Sequence, residues 1–185
     1  MRIAILSDIH DHVWNLADAL IGVQNTKTMV VCGDLCSPFI VAQLAEGFSN
    51  PIHIVFGNND GDLYRITNIA GRYDNVSLQG EFYQGELGGK RFAVNHYNNI
   101  ALPLADSGAY DVVCYGHNHI FKIESRGDAL LINPGTIMGY EPVGRKNIPP
   151  TLVIYDTESG AAEGYYLVKG AQGATGKLMP YERNT

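Results

Sequence analysis

The sequence has no long hydrophobic stretch and few cysteines, and each shortage excludes a class of protein. No apolar run approaches the roughly 20 residues that a membrane-spanning helix needs, and Met1-Arg2 leads directly into a predicted strand, which no signal peptide does. The three cysteines, Cys32, Cys36 and Cys114, are an odd number and lack the paired spacing of a zinc knuckle. We therefore expect reduced thiols, a cytoplasmic location and no membrane partner.

Charge is also scarce: charged residues make up 17% of the 185-residue chain, and the formal net charge is -6. Lys and Arg are scattered along the sequence, whereas proteins that hold long nucleic acids cluster their basic side chains. We therefore expect a small substrate and no long nucleic-acid partner. The composition leaves the oligomeric state open, including a homo-oligomer.

The length fits one domain. Residues 1–170 carry the hydrophobic patterning and are assigned to that domain. Beyond Gly170 the composition is polar and rich in glycine. Residues 171–185 are therefore expected to form a poorly ordered C-terminal tail.

The first half of the chain alternates short apolar runs with amphipathic segments. The runs at residues 2–6, 29–32 and 52–56 are typical of buried strands. Apolar residues recur at helical spacing in two segments between them: Val13, Leu16, Ala17 and Leu20, then Val41, Leu44, Ala45 and Phe48. The second helix is predicted to have Ser37 as its cap and to end near Asn50. The order is β-α-β-α-β-α, because Leu63, Ile66 and Ala70 continue the pattern.

The second half of the chain is richer in hairpins. Glycine-containing turns separate paired apolar runs within residues 82–95, 120–132 and 152–168. A short helix near residues 100–107 precedes a further strand at 111–115. A largely parallel first half and a largely antiparallel second half favour two sheets packed face to face, with helices outside.

Metal-ligand side chains follow several of the predicted strands at their carboxyl ends. In an open α/β sheet these ends meet at one edge, where ligands bind. The candidate metal ligands are Asp8, His10, Asp34, Asn58, His96, His117 and His119. Glycines precede Asp34, Asn58 and His117, which would allow the backbone to approach ions and substrate closely.

Seven donors are too many for one ion, but they suit two ions if one carboxylate is shared. A mixed set of carboxylate, amide and imidazole groups favours transition metals, with Mn²⁺ preferred and Fe, Zn²⁺, Co²⁺ or Ni²⁺ as alternatives. His53 lies within an apolar strand and is interpreted as structural, because a single histidine in such a place is more often hydrogen-bonded than metal-bound.

Five motifs in order resemble those of the calcineurin-like metallophosphoesterase superfamily, in particular its small bacterial and archaeal phosphodiesterases. The motifs are Asp8-x-His10, Gly33-Asp34, Gly57-Asn58-Asn59-Asp60, the single His96, and Gly116-His117-Asn118-His119. The resemblance covers residues 1 to about 155. It implies a four-layer αββα sandwich of two mixed sheets flanked by helices, the metallo-dependent phosphatase fold.

The resemblance also implies a role for each donor. Asp8, His10 and His119 would hold the first metal, Asn58, His96 and His117 the second, and Asp34 would bridge the two. The implied activity is hydrolysis of small phosphate esters, diesters more than monoesters, by attack of a metal-bridging hydroxide. The candidate catalytic residues are Asp34, Asn58, Asp60 and His96.

One position departs from the superfamily pattern. Many members carry a histidine near the leaving group where this chain has Asn59, and an amide cannot donate a catalytic proton. The sequence therefore predicts faster turnover of aryl phosphodiesters than of alkyl phosphodiesters.

Two alternatives stay open at this point. Asp60 could orient Asn58 or handle a proton, or it could cap the following helix. A different class of function is a protein-binding scaffold without catalysis, since a retromer subunit shares this fold with a depleted metal site. The full set of donors in this chain favours the enzyme.

Overall fold

The computed structural model describes residues 1–169 and 176–181. Four helices lie in this part of the chain: α1 (Val13–Gly22), α2 (Pro38–Gly47), α3 (Leu63–Ala70) and α4 (Asn98–Asp106). The first seven strands are β1 (Arg2–Leu6), β2 (Thr28–Val31), β3 (Ile52–Ile54), β4 (Val76–Leu78), β5 (Phe82–Leu87), β6 (Lys90–Asn95) and β7 (Val112–Cys114). The others are β8 (Lys122–Arg126), β9 (Ala129–Asn133), β10 (Tyr140–Glu141), β11 (Lys146–Asn147), β12 (Thr151–Asp156), β13 (Ala162–Val168) and β14 (Lys177–Pro180).

The strands form two large mixed sheets and one small hairpin. The first sheet has the order β14-β13-β12-β1-β2-β3-β4, in which β1 to β4 are parallel and β12 to β14 antiparallel. The second sheet has the order β5-β6-β7-β9-β8, with β6, β7 and β9 parallel. The expected antiparallel second half is thus correct for its hairpins and wrong for these three central strands.

The core is divided into three apolar layers, and the alternation of side chains along each strand explains why. On β1, Ala4 and Leu6 pack toward helices α1 to α3, while Ile3 and Ile5 point toward the second sheet. The middle layer joins the two sheets. A third layer, which includes Ala101, packs α4 against the outer face of the second sheet. Three apolar layers between four structural layers confirm the αββα prediction.

Several local predictions need correction. Helix α2 ends at Gly47, before the predicted position near Asn50. Ser37 is its N-cap residue, but the Ser37 hydroxyl donates to Asp11 Oδ2 at 2.7 Å and makes no capping hydrogen bond. Ala17, placed on the buried face of α1 by its spacing, is exposed, and Ala19 is buried instead.

Part of the segment expected to be a poorly ordered tail is folded. Strand β14 pairs with β13 at the edge of the first sheet, and Leu178 packs against the layer beneath α1. The expectation is therefore wrong for residues 177–180. Residues 170–175 and 182–185 lie outside the described part of the chain. No helix within residues 1–169 or 176–181 is long and apolar enough to cross a membrane.

Candidate metal centre

All seven predicted donors lie beyond the carboxyl ends of strands in the two sheets. Asp8 and His10 follow β1, Asp34 follows β2 and Asn58 follows β3, while the remaining three follow β6 and β7. Backbone hydrogen bonds from Asp8 to Gly33 and from Gly116 to His96 join neighbouring loops. The loops of both sheets thus converge on one site.

The first set of donors, here the inner group, comprises Asp8, His10 and His119. Asp8 Oδ1 lies 3.2 Å from His119 Nε2 and 3.7 Å from His10 Nε2. The two Nε2 atoms are 3.1 Å apart. Within the described residues Asp8 Oδ1 is buried without a hydrogen-bond partner, which is unusual for a carboxylate oxygen. A divalent cation between the three atoms would satisfy all of them.

The second set, here the outer group, comprises Asn58, His96 and His117. Asn58 Oδ1 lies 3.1 Å from His96 Nε2 and 2.8 Å from His117 Nδ1. His96 is fully buried, whereas Asn58 and His117 are exposed. Amide oxygen and imidazole nitrogen again converge, this time next to solvent.

Asp34 lies between the two groups. Asp34 Oδ2 is 3.5 Å from His10 Nε2 in the inner group and 3.3 Å from His96 Nε2 in the outer group. Asn59 holds this carboxylate, with its backbone N–H donating to Oδ1 at 2.8 Å and its side-chain Nδ2 donating to Oδ2 at 2.9 Å. One carboxylate therefore faces both sets of donors.

The other ring nitrogen of each buried imidazole is held by an atom outside the centre. His96 Nδ1 donates to the Cys32 carbonyl at 2.7 Å, and His119 Nδ1 donates to the Tyr140 carbonyl at 2.5 Å. Because a carbonyl only accepts hydrogen bonds, Nδ1 carries the proton and the Nε2 lone pair faces the centre. His10 Nδ1 instead contacts the Cys36 thiol, with Sγ at 3.4 Å.

The charges of the centre are strongly coupled. Burial alone would raise the pKa of Asp8, but the neighbouring imidazoles of His10 and His119 bring it far below its usual range. Burial likewise opposes the ionisation of Asp34, yet His96 holds the Asp34 pKa below normal. Both carboxylates are therefore ionised at neutral pH and attract cations.

The backbone of the centre is unusual. Five of the seven donors are non-glycine residues with positive φ: Asp8, His10, Asp34, His117 and His119. Such conformations concentrate at functional sites. At Gly33, which has φ +99°, a Cβ would lie 2.8 Å from His96 Nδ1, and at Gly57 it would collide with Asp34 Oδ1. A side chain at either position would therefore crowd His96 or Asp34.

Asp60 connects the loops that carry the donors through hydrogen bonds. Its carboxylate accepts hydrogen bonds from the backbone N–H groups of Asp34, Cys36 and Gly57 at 3.2, 2.9 and 2.7 Å. The cap of helix α3 is instead Asp62, whose Oδ1 accepts from the N–H of Arg65. The helix-capping alternative for Asp60 is therefore wrong.

Some supporting residues were missed in the sequence. Thr136 Oγ1 donates to the Asp8 carbonyl at 2.8 Å, and Asn133 Nδ2 donates to the Gly116 carbonyl at 3.1 Å. Nothing local in residues 133–136 indicates that this loop lies beneath the donors. The role of the Tyr140 carbonyl carries no side-chain signal at all.

Comparisons with known proteins agree with this geometry. Residues 1–160 match the family model described as the calcineurin-like phosphoesterase superfamily domain. The chain is 34% identical over 162 residues to the phosphodiesterase MJ0936 of Methanocaldococcus jannaschii, covering 85% of this chain and 94% of that protein.

Solved structures show the same fold. A structure of an archaeal phosphodiesterase matches with a TM-score of 0.81 and 31% identity, over 90% of this chain and 100% of that one. A Vps29 variant from Entamoeba histolytica matches with a TM-score of 0.69 and 17% identity over the whole of both chains. Sequence match, fold and convergent donors together show that this chain belongs to the calcineurin-like phosphoesterase superfamily.

Proposed function

We propose that the protein is a dinuclear metal-dependent phosphodiesterase that hydrolyses small phosphate esters. The observation that carries the proposal is the place of Asp34, whose Oδ2 lies within 3.5 Å of an imidazole in each donor group. A carboxylate in that position suits two ions that share one ligand.

Each group would hold one ion. Asp8, His10 and His119 would bind the first, and Asn58, His96 and His117 the second, with Asp34 contacting both. Carboxylate, amide and imidazole donors favour Mn²⁺, with Fe, Zn²⁺, Co²⁺ and Ni²⁺ as alternatives. When bound, two divalent ions lower the pKa of a shared water and neutralise the charge that develops on phosphate oxygens.

The protein's own residues fix the geometry for this chemistry. The Cys32 and Tyr140 carbonyls orient the imidazoles of His96 and His119 toward the centre, and Asp60 joins the loops of Asp34 and Asn58. Asn58 is useful because an amide is a ligand without charge. Only two carboxylates then offset two divalent ions, and the pocket stays attractive to an anionic ester.

The substrate class follows from similarity as well as geometry. The relative from Methanocaldococcus jannaschii is named a phosphodiesterase, and a diester is the class we propose for this chain. We also propose a cytoplasmic location, since the three cysteines are free thiols and Cys32 and Cys114 are buried. A homo-oligomer is compatible with this proposal.

A metal titration with bis(p-nitrophenyl) phosphate tests the proposal. Metal-free protein should be inactive, and activity should rise to a plateau near two Mn²⁺ per chain. Elemental analysis of protein purified without added metal should identify the native ion. A binding scaffold without catalysis, the alternative function, predicts no turnover with any of the five metals.

The place of Asn59 makes a second test possible. Its Nδ2 donates to Asp34, and no group on this side chain can protonate a leaving alkoxide. We expect bis(p-nitrophenyl) phosphate to be hydrolysed faster than a dialkyl phosphate, by about 100-fold or more, which is the usual contribution of a general acid. Equal rates on the two esters would contradict this prediction.

A further inference from the structure

A cleft of about 240 Å³ opens beside the inner group of donors, with His119 in its wall. Most of its lining is apolar: Ile120, Phe121, Ile148, Pro149 and Tyr181. Glu141 and Lys146 add one charge of each sign. None of the steps proposed above uses this cleft.

The cleft adjoins the metal centre through His119, which lines the cleft and is also one of the inner donors. Phe121 follows His119 by two residues, so their Cα atoms are at most about 7 Å apart. The hairpin of β10 and β11 forms another part of the lining, through Glu141 and Lys146. The same hairpin supplies the Tyr140 carbonyl that orients His119. The wall of the cleft and one predicted metal ligand are therefore positioned together.

The lining is aromatic as well as apolar. The rings of Phe121 and Tyr181 have centroids 4.5 Å apart with an interplanar angle of 36°. A Cβ at Gly164 would collide with the Phe121 ring, so the ring lies closely against strand β13. Ile120, directly after a donor, is 57% exposed. Together these side chains give the cleft the apolar and aromatic lining that is typical of small-molecule sites.

The cleft continues into a larger groove at the edge of the sandwich. This groove has a volume of about 610 Å³ and shares Phe121 and Tyr181 with the cleft. It runs past Ile123, Ala162 and Pro180, between the edge strands of the two sheets. A substituent longer than one ring would find further apolar surface there.

We propose that the cleft is a subsite for an aromatic ring carried by the phosphate ester. Phe121 and Tyr181 would contact the ring. This inference rests on the proposed function, because the phosphate must be held at the metal centre for its substituent to enter the cleft. It identifies the substrates as aryl or nucleobase-bearing phosphate esters.

Two phosphonates that cannot be hydrolysed as esters separate ring binding from leaving-group chemistry. Calorimetric titration of the Mn²⁺-loaded protein with phenylphosphonate and methylphosphonate should show tighter binding of the phenyl compound. Phe121→Ala and Tyr181→Ala should each weaken phenylphosphonate binding by about 3- to 10-fold, the scale of an aromatic contact, and change methylphosphonate binding by less than about 2-fold. Tyr181→Phe should restore the preference, because it keeps the ring.

Controls keep the result interpretable. Tyr110→Ala removes an aromatic residue that precedes β7, at the opposite end of that strand from His117 and His119, and should change neither affinity. Phe121 also packs against the middle core layer, so thermal unfolding must confirm that each variant is folded. If Phe121→Ala does not fold, Tyr181→Ala carries the test.

Three outcomes would overturn the inference. The first is equal weakening of both phosphonates, and the second is no change in either. The third is a change of mass by light scattering without a change in ligand preference, which would identify a second copy of the chain as the occupant. Hydrolysis of bis(p-nitrophenyl) phosphate by the same wild-type sample shows separately whether the proposed function stands.

Discussion

The inner group of donors is shielded from solvent, whereas two of the three outer donors are exposed. Asp8 is fully buried, His119 is 3% exposed, and the His10 side chain is 17% exposed. The loop at residues 133–136 and the β10–β11 hairpin hold Asp8 and His119 from outside. The outer donors have less support: the described hydrogen bonds of the Asn58 side chain go to His96 and His117 within the centre, and the His117 ring has the Tyr97 ring beside it, with centroids 5.2 Å apart.

This difference separates two tasks. The buried inner position can retain an ion, because its donors are fixed in advance and need no reorganisation. The outer position can exchange its ion more readily, because two of its donors are exposed. We expect the two positions to differ in affinity and exchange rate, and the following predictions test that asymmetry.

The largest effect is expected from Asp34→Asn, which removes the carboxylate common to both groups. Removing a residue that only orients a metal ligand typically lowers metal affinity or activity by 10- to 100-fold. Asp34 is itself a proposed ligand, so we expect activity to fall by more than about 100-fold and metal content to drop at both positions. Initial rates and elemental analysis measure these effects. The matched control is Asp128→Asn, an exposed carboxylate in the β8–β9 turn, which should behave as wild type.

The next effect is the contrast between His117→Ala and His119→Ala. His117→Ala should reduce metal content toward one ion per chain and leave stability within about 0.5 kcal/mol, because the residue is exposed. His119→Ala should also destabilise the metal-free protein, since it removes a partner of the buried Asp8 carboxylate. Elemental analysis and urea unfolding measure both. Identical metal loss and stability in the two variants would remove the distinction between the groups.

A smaller effect is expected at Cys36, whose thiol is the outside partner of His10. Burial, together with the charges of Asp11 and Asp34, raises the pKa of Cys36 to about 12, so the thiol stays protonated and acts as a weak partner. Cys36→Ala should weaken binding at the inner position by up to about 10-fold, the low end for such partners, while Cys36→Ser should preserve it. Chelator competition gives the affinities. A larger loss of metal affinity in Cys36→Ser than in Cys36→Ala would contradict this role.

The smallest effect concerns a histidine outside the centre. His53 stacks on Tyr83 with centroids 5.0 Å apart, and burial lowers the pKa of His53. The neutral form is therefore favoured in the folded state, and its contribution to stability is present above about pH 6.5 and lost as the pH falls through the folded pKa. His53→Gln should flatten the pH dependence of unfolding over this range.

The metal-free centre should respond in the opposite direction. Burial alone would lower the pKa of His119, but Asp8 raises it above its usual value. The contribution of protonated His119 to folding stability is therefore lost as the pH rises through the folded pKa. Urea unfolding of metal-free wild type and His53→Gln between pH 5 and 8 separates the two contributions. An unchanged acid limb in the variant would exclude the proposed contribution of His53.

Local patterns were sufficient for most strands and helices and for the convergence of the donors. The run before Asp8 and the glycine turn at residues 88–89 each determine a structure that depends mainly on neighbouring residues. The Ser37 hydroxyl and the Tyr140 carbonyl could not be predicted in this way. The Ser37 hydroxyl hydrogen-bonds to Asp11 and not to its own helix, and the Tyr140 carbonyl accepts from His119, which is 21 residues away in the sequence. Both hydrogen bonds depend on how distant segments pack.

Strand β14 could not be predicted from its local sequence either. Its sequence is short and follows a glycine-rich stretch, and its only described strand partner is β13. The edge of an existing sheet supplies that partner, which composition alone does not show.

The left-handed backbone of the donor loops has a consequence for evolution. Residues held in such conformations typically cost 1–3 kcal/mol each, and this cost persists whether or not the residue serves catalysis. Replacement of these donors by glycine or asparagine would relieve the backbone strain and raise the free energy of unfolding. Homologues that no longer hydrolyse esters could therefore gain stability and acquire other functions. Only continued selection for turnover would keep the original side chains in place.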